Sequence, residues 1–194
     1  VQEAVSARGR RRDPRIDAQV LQAAVQELAE RGIAGFSVNS VAARAEVDKR
    51  GIYARWPQRD QLIVDALGTL AARLVPPRNG SLRADLLALA PAVAAVFTSP
   101  RREILERCIA EARDYPGIYA EFRRDSVDRC AAVVEDAFRV AQQRGEIDPA
   151  ADASQAAEAF IGMFLARATL LGEGAVLDDR AQRGVVEFCL RAVA

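Results

Sequence analysis

The sequence predicts an all-α fold of about nine helices and no sheet, and three observations predict it. Apolar residues recur three and four positions apart along most of the chain, no stretch alternates with a period of two, and capping residues, prolines and glycines divide the sequence at helix-length intervals. Composition points the same way. With 51% hydrophobic and 28% charged residues the chain is globular rather than disordered, and the abundance of alanine and leucine over β-branched runs favours helices.

Residues 1–12 are polar, carry Arg8, Arg10, Arg11 and Arg12, and lack an apolar period, so they read as a flexible arginine-rich arm. Asp13-Pro14 opens the first helix, with aspartate as cap and proline at the first helical position. Ile16, Val20 and Ala24, with Leu21, Val25 and Leu28, form its apolar stripe, and Gly32 ends it. A second helix opens after Ser37 and places Val38, Val41, Ala42 and Ala45 on one face. A short third runs from Asp48 to about Trp56 and stops at Pro57.

The fourth is expected from Asp60 to Val75, before the clearest break in the chain, Pro76-Pro77-Arg78-Asn79-Gly80. Ser81 caps a helix reaching Phe97, with Pro91 as a kink or break within it. Ser99-Pro100 begins another, ending near Asp114. After Tyr115-Pro116-Gly117 a long helix runs to Gly145. Asp152 caps the next, to Gly172, and Asp178 the last, to Val193.

Charge is distributed unevenly although the total is zero. Residues 1–62 hold 11 Lys and Arg against 8 Asp and Glu, a balance of +3, which leaves −3 for the remainder. A basic front on an acidic body suits a chain that meets a polyanion at one end. The absence of histidine removes the commonest metal ligand and general base, and no carboxylate pair stands out, so neither an enzyme, a metal site nor a cofactor is expected. Cys108, Cys130 and Cys189 are widely spaced and odd in number, which argues against a disulfide framework and for a reducing cytoplasm. No apolar stretch follows the first arginines, and the most apolar segment, Phe160 to Leu171, is short and contains Arg167, so neither a leader nor a membrane partner is expected.

The second and third helices have the spacing of a helix-turn-helix. On the third, Ile52 and Trp56 lie four apart and can pack inward, while Lys49 and Tyr53, beside Arg50 and Ala54, form a cationic and aromatic outer surface. Residues Ile16 to Leu62 resemble the DNA-binding domain of the TetR family of bacterial regulators. The resemblance rests on Ala29-Glu30-Arg31-Gly32-Ile33, Phe36-Ser37-Val38, Val41-Ala42-Ala43-Arg44-Ala45, Val47-Asp48-Lys49-Arg50-Gly51-Ile52-Tyr53 and Arg55-Trp56-Pro57 through Arg59-Asp60 to Leu62. Beyond it, the C-terminal part matches only in helix lengths and in Gly145-Glu146-Ile147-Asp148-Pro149 before the penultimate helix.

The resemblance implies a helix-turn-helix DNA-binding domain over 13–60 and a helical effector-binding and dimerisation domain over 61–194. It assigns double-stranded operator DNA to Ser37, Lys49, Arg50, Tyr53 and Arg59, the last at backbone phosphate where the family usually has lysine. It implies a homodimer through the last two helices, here Ala159, Gly162 and Ala166 with Val185, Phe188, Cys189 and Ala192. It also implies a pocket for a small apolar or amphipathic effector between the middle helices. Candidates are Phe97, Leu105, Cys108, Ile109 and Tyr119, with Phe122 and Phe164, and Arg167 as polar handle. The fourth helix is the expected lever between the two.

Four positions depart from the family pattern. Glu46 stands where the turn glycine is usual, Asp48 replaces a serine, Gly51 a threonine, and Ala54 a larger residue. An alternative therefore stays open, a small-molecule-binding module whose DNA head no longer works. The arm is open in the same way, between minor-groove contact and an unattached tail.

Overall fold

A computed structural model of the chain describes residues 13–70, 74–171 and 177–194. Among these residues there are helices and no strands. The expected arm over 1–12, residues 71–73 of the expected fourth helix, and Gly172 lie outside the described residues.

The head is made by α1 (Pro14–Arg31), α2 (Val38–Arg44) and α3 (Lys49–Tyr53). The Asp13 side chain caps α1 by accepting from the Arg15 N–H, and Gly32, at φ 68°, ends it by donating its N–H to the Leu28 carbonyl. That left-handed conformation is what glycine supplies at little cost. Helix α4 (Arg59–Gly68) lies along α1 and buries Leu62, Ile63, Ala66 and Leu67. It ends short of the expected Val75, with turns at Thr69 and Leu70.

The body comprises α5 (Leu82–Val96), α6 (Arg101–Ala110), α7 (Pro116–Phe122), α8 (Arg129–Gln143), α9 (Ala153–Leu171) and α10 (Asp179–Ala192). A π-helical turn, Arg123–Asp128, joins α7 to α8, so these make up the one long helix expected after Pro116. Pro91 sits inside α5 without ending it. Helix α6 closes before the expected Asp114 because tight turns replace helical bonds there, Ala112 donating to the Ile109 carbonyl and Asp114 to that of Glu111.

Helices α5, α8, α9 and α10 pack on one another around Phe138, Phe160 and Phe164, all fully buried. Burying each such aromatic removes a large apolar area from water, which is the main favourable term in this core. Two carboxylates inside the protein are compensated. Asp85 accepts from the Asn79 N–H at 2.7 Å and faces Arg144 at 3.4 Å, and Glu27 on α1 lies 3.4 Å from Arg31 and 3.6 Å from Arg44 of α2. Both ion-paired sites join neighbouring segments, so the buried charge also fixes how they meet. Among the described residues, no single helix is long and apolar enough to cross a membrane.

Candidate nucleic-acid interface and internal cavity

Helix α3 is held from beneath and free above. Asp48 caps it by accepting from the Arg50 N–H at 2.7 Å, which commits the carboxylate to the helix end. Ile52, 1% exposed, and Trp56 face the core, and the indole N–H donates to Asp65 of α4 at 2.8 Å. Arg55 pairs with Asp17 of α1 and donates to the Gly51 carbonyl at 3.0 Å. These contacts tie one short helix to α1 and α4. Lys49, Arg50, Tyr53 and Ala54 are left exposed, with the Lys49 ammonium 5.6 Å from the Tyr53 ring centroid.

Ser37 caps α2 and accepts from the Ser40 N–H at 3.4 Å, so its side chain stands at the helix end that favours anions. The turn between α2 and α3 explains the first departure from the family pattern. Glu46 adopts φ 53°, the left-handed conformation that glycine would take without strain. The turn still closes, since the Val47 N–H reaches the Ala42 carbonyl at 3.0 Å.

Arg59 is placed differently from the expectation. Its guanidinium donates to the Ile33 carbonyl, to the Phe36 carbonyl at 3.3 Å and to Asp60 at 2.9 Å, and it stacks over the Phe36 and Tyr115 rings. Those donors are already engaged, so Arg59 braces the junction of α1, α2 and α4 instead of facing outward.

A cavity of about 150 Å³ opens between α5, α6, the π-helical turn, α8 and α9. Phe97, Leu105, Ile109, Tyr119 and Phe122 line it. Three expected members do not. Cys108 is buried in the core, where burial, with the Glu111 charge adding to it, pushes its thiol up to about 12. Phe164 packs edge-on against Phe160, centroids 5.1 Å apart, and Arg167 lies on the exposed side of α9.

The lining that sequence reasoning missed includes Val96, Arg101, Ser126, Cys130, Ile161 and Leu165. A signal existed. Arg101, Leu105 and Ile109 are spaced by four, so extending that apolar pair back by one turn reaches Arg101, and Ser126 and Cys130 follow Phe122 at the same interval. The π-helical turn lies in this wall, and π-bulges occur often at functional sites.

The opposite side of α6 grips the head. Arg107 donates to the Ala29 carbonyl at 2.8 Å and the Glu30 carbonyl at 2.9 Å, near the C-terminal end of α1. One turn later a Glu111 carboxylate oxygen accepts from the Ile33 N–H at 2.7 Å and the Ala34 N–H at 3.0 Å. A cation on the last carbonyls and an anion on the following amides satisfy groups that a helix end leaves open.

On the outer face, Ala159, Gly162 and Ala166 of α9 and Phe188 and Ala192 of α10 are exposed, Phe188 by 51%. Val185 and Cys189 are not on that face. They form the inner stripe of α10, packed toward α5 and buried, because positions 185 and 189 lie about 100° from 184 and 188 around the helix. Among the described residues no cluster of three His, Cys, Asp or Glu could hold a metal.

Comparison with known proteins adds a family. A family model described as bacterial regulatory proteins, tetR family, matches residues 20–66, and one described as tetracyclin repressor-like, C-terminal domain, matches residues 76–188. The uncharacterized HTH-type transcriptional regulator YdeS of Bacillus subtilis is 27% identical over 189 residues, covering 97% of this chain and 94% of that protein. Two solved structures share the fold. A TetR transcription regulator from Haloarcula marismortui has a TM-score of 0.74 at 15% identity, covering 93% of this chain and 99% of that one. The flavonoid-responsive regulator FrrA has a TM-score of 0.69 at 20% identity, covering 93% and 97%.

Proposed function

The chain belongs to the TetR family of bacterial transcriptional regulators, with a DNA-binding helix-turn-helix at its N-terminus, and on that premise we propose that it is a ligand-released repressor acting as a homodimer on a pseudo-palindromic operator. The observation that carries the reading is the division of α3, with Ile52 and Trp56 anchored inside and Lys49, Arg50 and Tyr53 free outside. In the proposed complex α3 enters the major groove. Arg50 reads base edges or phosphate, Lys49 and Tyr53 bond phosphate, and Ser37 sets the register at the start of α2.

Residues 13–60 are the DNA-binding domain in this reading, and 61–194 the effector and dimer domain. The small-residue stripe Ala159, Gly162 and Ala166, beside exposed Phe188, Ala192 and Leu170, supports pairing of α9 and α10 with a second copy, since an apolar surface of this kind gains by being covered. FrrA is described as flavonoid-responsive, and a small apolar or amphipathic molecule in the present cavity is the corresponding effector. Such a ligand acts by binding one conformational state better than the other. Helix α6 is the lever we favour over α4, because it lines the cavity on one side and holds α1 through Arg107 and Glu111 on the other.

Fluorescence anisotropy with a duplex from the region upstream of its own gene tests this. Lys49→Ala and Arg50→Ala are each expected to weaken binding about tenfold while leaving the melting temperature unchanged. Unchanged affinity in both variants defeats the assignment. Failure of the wild-type chain to bind that duplex favours the module with an inactive head.

A further inference from the structure

The cavity is apolar along most of its wall, and its polar groups are unusual in kind. Arg101, the first residue of α6, lines it half-buried and has no ion pair or hydrogen bond among the described residues. The Ser126 hydroxyl, in the π-helical turn, is buried and has no hydrogen-bond partner among the described residues. Among the described residues, no carboxylate lines the space. A half-buried cation without a counter-ion gains more from an anionic ligand group than from a neutral one.

We infer that the effector is a small monoanion, a carboxylate or similar acid on a ring-sized apolar body, its acid group paired with Arg101. This deepens the effector reading above and rests on it. The size follows from the volume, since an apolar cavity of about 150 Å³ holds a benzene-sized group. The charge follows from Arg101. Phe97, Tyr119 and Phe122 could otherwise stack on a ligand cation, but a neighbouring guanidinium with no lining carboxylate to balance it repels one. The N-terminal end of α6, with its positive partial charge, lies at the same residue and favours the same sign.

Isothermal titration calorimetry of the full chain with benzoate, benzamide and benzyltrimethylammonium tests the class. Benzoate is expected to bind at least about tenfold more tightly than its neutral isostere, the usual worth of a charge-assisted pair, and the cation not to saturate. Arg101→Gln should bring benzoate to the level of benzamide while leaving benzamide itself unaffected, which a misfolded variant would not do.

The inference is overturned if benzoate has no advantage, if Arg101→Gln preserves that advantage, or if no probe saturates. Ile161→Trp, which fills the cavity from α9, separates the two readings. Tight binding of benzamide or the cation that this variant abolishes keeps the cavity as a ligand site and removes the anion. Benzoate binding that depends on Arg101 but leaves operator affinity unaltered keeps the ligand class and removes its regulatory role.

Discussion

The head and the body solve different problems with the same helices. In the head the proposed working surface is one side of one short element, α3, and three polar contacts hold that element in place. Asp48 caps it, Arg55 ties it to α1, and the Trp56 indole ties it to α4. In the body the corresponding feature is a space, bounded by residues from Leu70 to Leu165, whose wall carries Arg101 with no ion pair among the described residues. A surface that must fit DNA is rigidified. On the proposed reading, a space that accepts a ligand keeps an unpaired charge. Between them stand Arg107 and Glu111, whose four bonds to α1 and the turn after it join the two regions.

The chain carries a separate reporter for each region. Its only tryptophan, Trp56, is buried in the head, and its three cysteines, Cys108, Cys130 and Cys189, are buried in the body. Burial pushes the Cys130 and Cys189 thiols up to about 11 and that of Cys108 to about 12, so all three are poor thiolates until the body opens. For a thiol the raised value means that the folded state holds its proton more strongly. The associated stability is present below about pH 9 and is lost as pH rises toward 11 and 12.

The largest expected effect breaks the comparison at the head. Ile52→Ala removes a 1%-exposed anchor of α3 and should cost about 2–5 kcal/mol, from lost apolar burial and the void left behind. In urea, the Trp56 fluorescence transition should move to lower concentration much further than the onset of thiol labelling at pH 8. Equal displacement of both would mean that head and body unfold as a single unit, with no regional difference to speak of.

The next effect tests the link. Replacing Arg107 and Glu111 together by alanine leaves two carbonyls and two amides at the end of α1 to find water instead, a cost of about 1–3 kcal/mol. The tryptophan and thiol transitions should separate further than in the parent chain. In the presence of any ligand that lowers operator affinity, that coupling should shrink in the double variant even where ligand affinity is retained. Retained coupling would move the lever back to α4.

What could be read from the sequence divides along the same line. Caps at Asp13, Ser37, Asp48, Ser81 and Asp178 are local signals, and each starts its helix as expected. The inward and outward sides of α3 follow from spacing alone. Arg59 was placed outward because its partners, the carbonyls of Ile33 and Phe36, come to it only through a turn that folds beside α4, which spacing along the sequence does not show. Val185 and Cys189 were misread because α10 carries apolar residues on two sides, and periodicity does not say which one a neighbour in the same chain takes. The polar residue of the cavity wall was sought on α9, at Arg167, whereas Arg101 of α6 lines the space, because a space between helices is defined by all of its walls at once.

The smallest effect sharpens the picture of the head. Glu46 holds a left-handed conformation at φ 53°, which costs an L residue about 1 kcal/mol relative to glycine, whereas glycine loses more backbone freedom on folding and returns part of that gain. Glu46→Gly should therefore raise the stability read from Trp56 by a net of roughly 0.5 kcal/mol and leave thiol protection unchanged. Glu46→Gln, which removes the charge and keeps the strained backbone, separates the two causes and should leave stability where it was. If glutamine stabilises as much as glycine, the turn carries no strain and the effect is electrostatic. If glycine destabilises, the side chain of Glu46 contributes contacts that outweigh its backbone cost, and the departure from the family's glycine is a feature of this head rather than a tolerated burden.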